Sequence, residues 1–134
     1  MLEFRSVKPE EYESVRLFLH EAGWQRRVKD HERFRQMMKE TSRTVAAWDG
    51  SIVVGFARAV CDEVSNGYIS MVAVAEDRRG QGIGRKLVEH LMGDDNNITW
   101  VLRAGRGSRG FWEKVGFKRS EVAMERVRAE PQTE

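Results

Sequence analysis

The segment VAVAEDRRGQGIGRKLVEHLM, residues 72–92, constrains the fold more than any other part of the chain. An apolar run ends at Val74, and a turn paved by Gly80, Gly82 and Gly84 follows, with Arg78, Arg79, Arg85 and Lys86 around it. Ile83, Leu87, Val88, Leu91 and Met92 then recur at helical spacing. ITWVLR, residues 98–103, is the next strand. A strand, a helix and a second strand in that order predict a crossover unit.

The rest of the chain supplies partners for that unit. LEFRSVK alternates apolar and polar residues and reads as a short strand. Pro9 opens a helix with Glu10 and Glu11 in its first turn, where the helix dipole favours acids. Tyr12, Val15, Phe18, Leu19 and Ala22 form its stripe and Gly23 ends it. Asp30 caps a second helix with the stripe Phe34, Met37 and Met38. TVAAW and SIVVGFARAV flank Asp49-Gly50, a hairpin signal. GYISMVAVA reads as a central strand covered on both faces. GDDNN is a turn, SRGFWEKV a short helix with Ser108 as candidate N-cap, and Phe117 through Val127 a final strand. The order β α α β β β α β α β predicts an α/β sandwich around a mixed sheet. With 134 residues, one domain over 1–127 and a polar tail over 128–134 are expected.

Composition removes several function classes. Lys+Arg of 23 against Asp+Glu of 21 is too balanced for bulk nucleic-acid binding, although RAGRGSRG, residues 103–110, is a local basic stretch. One cysteine, Cys61, gives no intrachain disulfide and no zinc cluster. No stretch approaches the roughly 20 apolar residues of a membrane span, and the first residues lack a signal-peptide core. A cytoplasmic location without membrane or nucleic-acid partners is the expectation.

The glycine turn fits neither common phosphate motif. A Walker loop needs Gly-Lys-Ser/Thr, whereas Gly84 is followed by Arg85-Lys86. G-x-G-x-x-G fails because Arg85 or Leu87 stands at the last position. The physical reading survives both failures. Glycines let the backbone approach a ligand, and the first turn of a helix offers unpaired N–H groups to a diphosphate.

Arg79-Gly80-Gln81-Gly82-Ile83-Gly84 resembles the Arg/Gln-x-x-Gly-x-Gly/Ala signature of the GNAT superfamily of N-acetyltransferases, and FWEKVGF resembles that family's later Phe-Tyr-Glu-Lys-Leu-Gly-Phe segment. The order of elements is similar over nearly the whole chain. GFARAVCDEVSNGYISMVAV and LRAGRGSRGFWEKVGF are similar to the serotonin N-acetyltransferase-like branch, without assigning serotonin as substrate. The resemblance implies a mixed, mostly antiparallel sheet flanked by helices, with a splayed parallel pair of central strands. It implies acetyl-CoA as cosubstrate, no metal, and transfer of acetyl to a primary amine of a small molecule or a protein by direct attack in a ternary complex, in a monomer or homodimer. Backbone of Val72, Ala73 and Val74 is then expected beside the pantetheine arm, and N–H groups of Arg79, Gly80, Gln81, Gly82, Ile83 and Gly84 around the diphosphate. Ser108 and Trp112 complete the cofactor set.

The match departs from the family where the chemistry is. Trp112 stands where the family often has a tyrosine acid, and an indole N–H is no useful proton donor. Trp112 either walls the thioester pocket or packs in the core. The strand GYISMVAV carries no carboxylate, so Tyr68 and Ser70 join Trp112 as catalytic candidates; alternation puts both on the face of Val72 and Val74. Asp62 and Glu63 are either near the acceptor or in a solvated turn; His31 and Cys61 lack a visible partner. In the family, GWQRRVKDHERF covers the acceptor cleft: Trp24 either lines it or folds onto the core, and Arg26, Arg27 and Lys29 either attract an anionic acceptor or are solvated. The rival function is an acyl-CoA sensor with the same fold and little transferase activity.

Overall fold

The computed structural model describes residues 1–129. One sheet runs in the order β1 (Glu3–Arg5), β2 (Arg43–Asp49), β3 (Ile52–Cys61), β4 (Asn66–Val74) and β5 (Thr99–Leu102). The first four strands are antiparallel neighbours, and β4 and β5 are parallel. Helices α1 (Tyr12–Glu21), α2 (Gln25–Val28) and α3 (His31–Glu40) lie between β1 and β2. Helix α4 (Ile83–Met92) is the crossover from β4 to β5, and α5 (Arg109–Lys114) follows β5. The α/β class and the parallel pair expected from the sequence are both present.

Local chemistry sets most boundaries. Pro9–Glu11 forms a single 3-10 turn ahead of α1. Its Glu11 carboxylate accepts the Lys8 N–H at 2.9 Å and a two-pronged pair from Arg5 at 2.9 and 2.8 Å. Helix α1 closes with Gly23 at φ +103° and the Trp24 N–H on the Leu19 carbonyl at 2.9 Å, a Schellman turn. Asp30 caps α3 through the Arg33 N–H at 3.1 Å. The hairpin loop is Gly50-Ser51, one residue later than Asp49-Gly50, since Asp49 still pairs with Ile52.

The sheet separates two apolar clusters. Val15, Leu19, Val28 and Phe34 from α1–α3 pack on Phe56 and Met71 on one face. Leu87, Val88 and Trp112 from α4 and α5 pack on Ala57, Ala59 and Ile69 on the other. Each such large side chain contributes about 1.5–3 kcal/mol on burial. Arg43 of β2 ties the second layer down: its guanidinium donates to the carbonyls of Leu91 and Met92, both at 2.9 Å, and pairs with Glu63 at 2.7 Å. Arg43 thereby satisfies the open carbonyls at the end of α4.

Two expectations need correction. Phe117 through Val127 forms no strand. The Ser120 hydroxyl accepts the N–H groups of Val122 and Ala123 at 3.1 and 3.0 Å and turns the backbone where extension was expected. Val122 and Met124 are left exposed, and β5 is the last strand of the described sheet. Nor is β4 covered on both faces throughout, because Asn66 and Tyr68 at its start are exposed. Of the polar tail, residues 130–134 lie outside the described residues.

The β4–β5 pair leaves no room for a side chain at Gly67, which stands opposite Trp100; a Cβ there would lie well inside van der Waals contact with the indole ring. Gly67→Ala is expected to destabilise the fold by about 1–3 kcal/mol through overpacking, and thermal unfolding checks it. Adding Trp100→Leu is expected to recover part of that loss, because the clash is with the ring.

Candidate functional site

The site grows from an irregularity in β4. Arg58 of β3 pairs with Met71, and Ala59 pairs with Ile69, so Ser70 is an extra residue without a β3 partner. Such a bulge interrupts the period-2 alternation. Ile69 packs on the α4 side while Met71 packs on the α1–α3 side. Val72 and Val74 face α4. Tyr68 and Ser70 instead line a cleft on the α1–α3 side. The expectation that all four share one face is therefore wrong, and the bulge is the reason.

Past the pair Ile69–Leu102 the strands β4 and β5 no longer pair. A cavity of about 140 Å³ opens there, lined among others by Ser70, Met71, Val72, Leu102, Phe111 and Trp112. Ser70 borders both this cavity and the cleft on the opposite side.

The glycine turn lies at the adjoining end. Gly80 and Gly82 have φ of +81° and +79°, and nothing stands within 4 Å of the position a Cβ would take at either. Gly82 is the N-cap of α4, and no side chain caps that helix. Its first N–H groups thus face open space, at the positive end of the helix dipole. Gly84 has a different duty. A Cβ there would lie 3.2 Å from Phe111 and 3.7 Å from Val74, so its small size lets α5 close against α4 and the end of β4. Of the surrounding cations, Arg78 is ion-paired with Asp49 and Arg85 with Glu89 at 3.2 Å. Arg79, Gln81 and Lys86 are exposed.

Trp112 is 8% exposed, edge-on to Phe111 at 4.9 Å and to Phe117 at 5.4 Å. It is a packed aromatic and a cavity wall at once. Ser108 occupies the N-cap position of α5, but its hydroxyl donates to the Gly105 carbonyl at 2.7 Å and caps no N–H; it still borders the cavity. Asp62 organises the β3–β4 turn, accepting three N–H groups and the Ser65 hydroxyl, which hold its carboxyl far below the usual range. Glu63 is held low by Arg43. The Asp62 carboxylate is committed to the turn and that of Glu63 to Arg43. His31 is exposed, 3.8 Å from Glu13, and the Cys61 sulfur accepts the Glu63 N–H at 3.3 Å. Among the described residues no cluster of His, Cys, Asp or Glu is arranged to hold a metal ion.

The cleft on the α1–α3 side measures about 710 Å³. Arg26, Arg27 and Lys29 line it, as does Arg58, which sequence reading passed over. The signal was present: Arg58 is the one charge inside the apolar run IVVGFARAV. It is 8% exposed and donates to Thr41 Oγ1 at 3.0 Å and Ser70 Oγ at 2.7 Å. Burial, followed by the nearby charge of Arg27, pushes its pKa down to about 10. Trp24 folds against the first apolar cluster, with the Arg27 guanidinium over its ring at 5.4 Å.

Known proteins share this architecture. No curated protein sequence matches the chain. A probable acetyltransferase of unknown function from meticillin-resistant Staphylococcus aureus superposes with a TM-score of 0.80 at 20% identity, over 97% of this chain and 99% of its own. An aminoglycoside acetyltransferase from an uncultured soil metagenomic sample gives 0.74 at 18% identity, over 96% and 99%. Glucosamine-6-phosphate N-acetyltransferase from Arabidopsis thaliana gives 0.72 at 16% identity, over 95% and 98%. These identities establish a common fold and leave the substrate open. The sequence family described as Acetyltransferase (GNAT) domain matches residues 6–129. The chain, with its uncapped glycine turn and its parted parallel strands, belongs to the GNAT acetyltransferase family.

Proposed function

We propose that the protein transfers acetyl from acetyl-CoA to a primary amine that enters from the α1–α3 side of the sheet. The observation that carries this reading is the position of Ser70, which borders the cavity between β4 and β5 and also the cleft across the sheet. A thioester end reaching the bulge from one side meets an amine arriving from the other.

The residues present fit the cosubstrate. The N–H groups from Arg79 to Gly84 would hold the diphosphate, since Gly80 and Gly82 leave the approach open and α4 lacks a side-chain cap. Val72, Ala73 and Val74 would offer backbone groups along the arm, with Ser108 and Trp112 at its edge. Acetyl-CoA supplies the activated acyl group, and its thiol is a good leaving group because thiol pKa values are moderate. The chain's part is positioning and exclusion of water, which can provide a large share of such an acceleration. Trp112 and Phe111 keep the cavity apolar. The Ser70 hydroxyl receives a guanidinium proton from Arg58, so its own O–H is directed elsewhere and it acts as a donor rather than a base. Tyr68 stands at the mouth of the cleft, within reach of an entering amine.

Release of free thiol from acetyl-CoA, measured over a panel of amines, tests the reaction. Turnover with any class supports transfer. Demonstrated acetyl-CoA binding without turnover on any amine favours the sensor reading instead. Gly82→Ala puts a Cβ in the left-handed region at a cost of roughly 1–2 kcal/mol; acetyl-CoA affinity is expected to fall on the order of tenfold, about 1.4 kcal/mol, by titration calorimetry. Trp112→Phe keeps an aromatic wall, and kcat is expected to stay within roughly threefold. A loss of 100-fold or more, the range of a general acid, would assign the indole a direct part in the reaction.

A further inference from the structure

The buried and partly buried arginines of the fold are neutralised differently. Arg16, 6% exposed, is paired with Glu13 through two contacts at 2.9 and 2.8 Å. Arg43 is paired with Glu63 at 2.7 Å. Arg58, as deeply buried as Arg16, has only the hydroxyls of Thr41 and Ser70 as hydrogen-bond partners among the described residues. A buried charge without a counter-charge is costly. Its neighbours increase the imbalance. Arg26, Lys29, Arg33 and Arg128 line the same cleft, and among the described lining residues the one acid, Asp30, accepts the Arg33 N–H as the cap of α3.

We propose that the acceptor is a small primary amine that carries its own anion, a carboxylate or a phosphate, seated against Arg58 and the cationic rim of this cleft. The proposal rests on the transferase reading above and specifies its substrate class. An anion there supplies the counter-charge that no described residue gives Arg58. A space of about 710 Å³ suits a small molecule. Ser70 fixes the direction: its oxygen accepts from Arg58 at 2.7 Å, with Arg27 Nη2 at 3.5 Å, and it sits on the bulge that borders the cavity between β4 and β5. An acceptor anchored by its anion on Arg58 therefore presents its nitrogen at the bulge. The same cations disfavour a second positive charge, so a bound ammonium loses its proton more readily than in water. The neutral nitrogen forms the new C–N bond, the C–S bond breaks with its electron pair on sulfur, and one proton passes from nitrogen through water to sulfur. Amine plus thioester gives amide plus thiol, with no other reactant.

The test uses amines matched in all but the anion: phosphoethanolamine against ethanolamine, and β-alanine against β-alanine amide. Binding is read by calorimetry and thermal shift in the presence of acetyl-CoA, and turnover by thiol release. The anionic member of at least one pair is expected to bind and react at least tenfold better, mainly through KM; the pair that shows it identifies phosphate or carboxylate. Arg58→Met is expected to erase that preference while leaving acetyl-CoA affinity and the melting temperature unchanged or higher, since an apolar side chain of similar length suits the buried position. Should Arg58→Met fail to fold, Arg58→Lys, which keeps the charge but loses the planar fork, is expected to retain part of the preference. Equal binding within both pairs, or a preference that survives Arg58→Met, overturns the proposal. Anion-dependent binding without thiol release from any amine upholds the cleft assignment and removes the transferase reading, so the two failures are separable.

Discussion

The arrangement around the candidate site depends on one extra residue in β4. Ser70 has no partner on β3, and the ladder must absorb it. The side-chain parity of β4 reverses there, so the strand gives Ile69 to the layer of α4 and Met71 to the layer of α1–α3. The parallel pairing with β5 stops at Ile69, next to the same residue. A regular ladder would keep β4 and β5 hydrogen-bonded and would bury the strand's N–H and C=O groups in it. The parted strands leave backbone groups of Ser70, Met71 and Val72 beside a small cavity, where a ligand can reach them. The bulge is thus the point at which sheet hydrogen bonding gives way to an open cavity.

Much of this was legible in the sequence, because local chemistry decided it. Gly23 ends α1, Asp30 caps α3, and the stripe Ile83, Leu87, Val88 and Leu91 places α4 against the sheet. The glycine turn was readable as a stretch of open backbone, since Gly80 and Gly82 hold left-handed φ values with nothing beside their Cβ positions. What escaped depends on long-range pairing. A bulge leaves no mark in GYISMVAVA, since Tyr68, Ser70, Val72 and Val74 alternate as they would in a regular strand. The segment 117–127 has enough apolar residues for a strand, yet the hydroxyl of Ser120 turns it. Gly84 resembles its neighbours in the motif, but only the tertiary packing shows that Phe111 is what needs the space.

Charge is distributed with a similar logic. Structural arginines are matched with carboxylates and also finish backbone hydrogen bonding, as Arg43 does for α4 and Arg5 does beside Glu11. The pairing holds Glu11 and Glu63 below their ordinary pKa and keeps them ionised well into acid. Arg58 is different because its partners are neutral, and its positive charge is left to act outward.

The sheet also divides inheritance between its two faces. The glycine turn, residues 79–84, lies on the α4 side and the cleft is built from α2, α3 and β3 on the other, while Ser70 alone borders both the cleft and the cavity between β4 and β5 among the described residues. Substitutions at Arg26, Lys29 or Arg33 can therefore change what enters one face without disturbing what is held on the other. A lineage built this way can vary one face a residue at a time while the other stays constant.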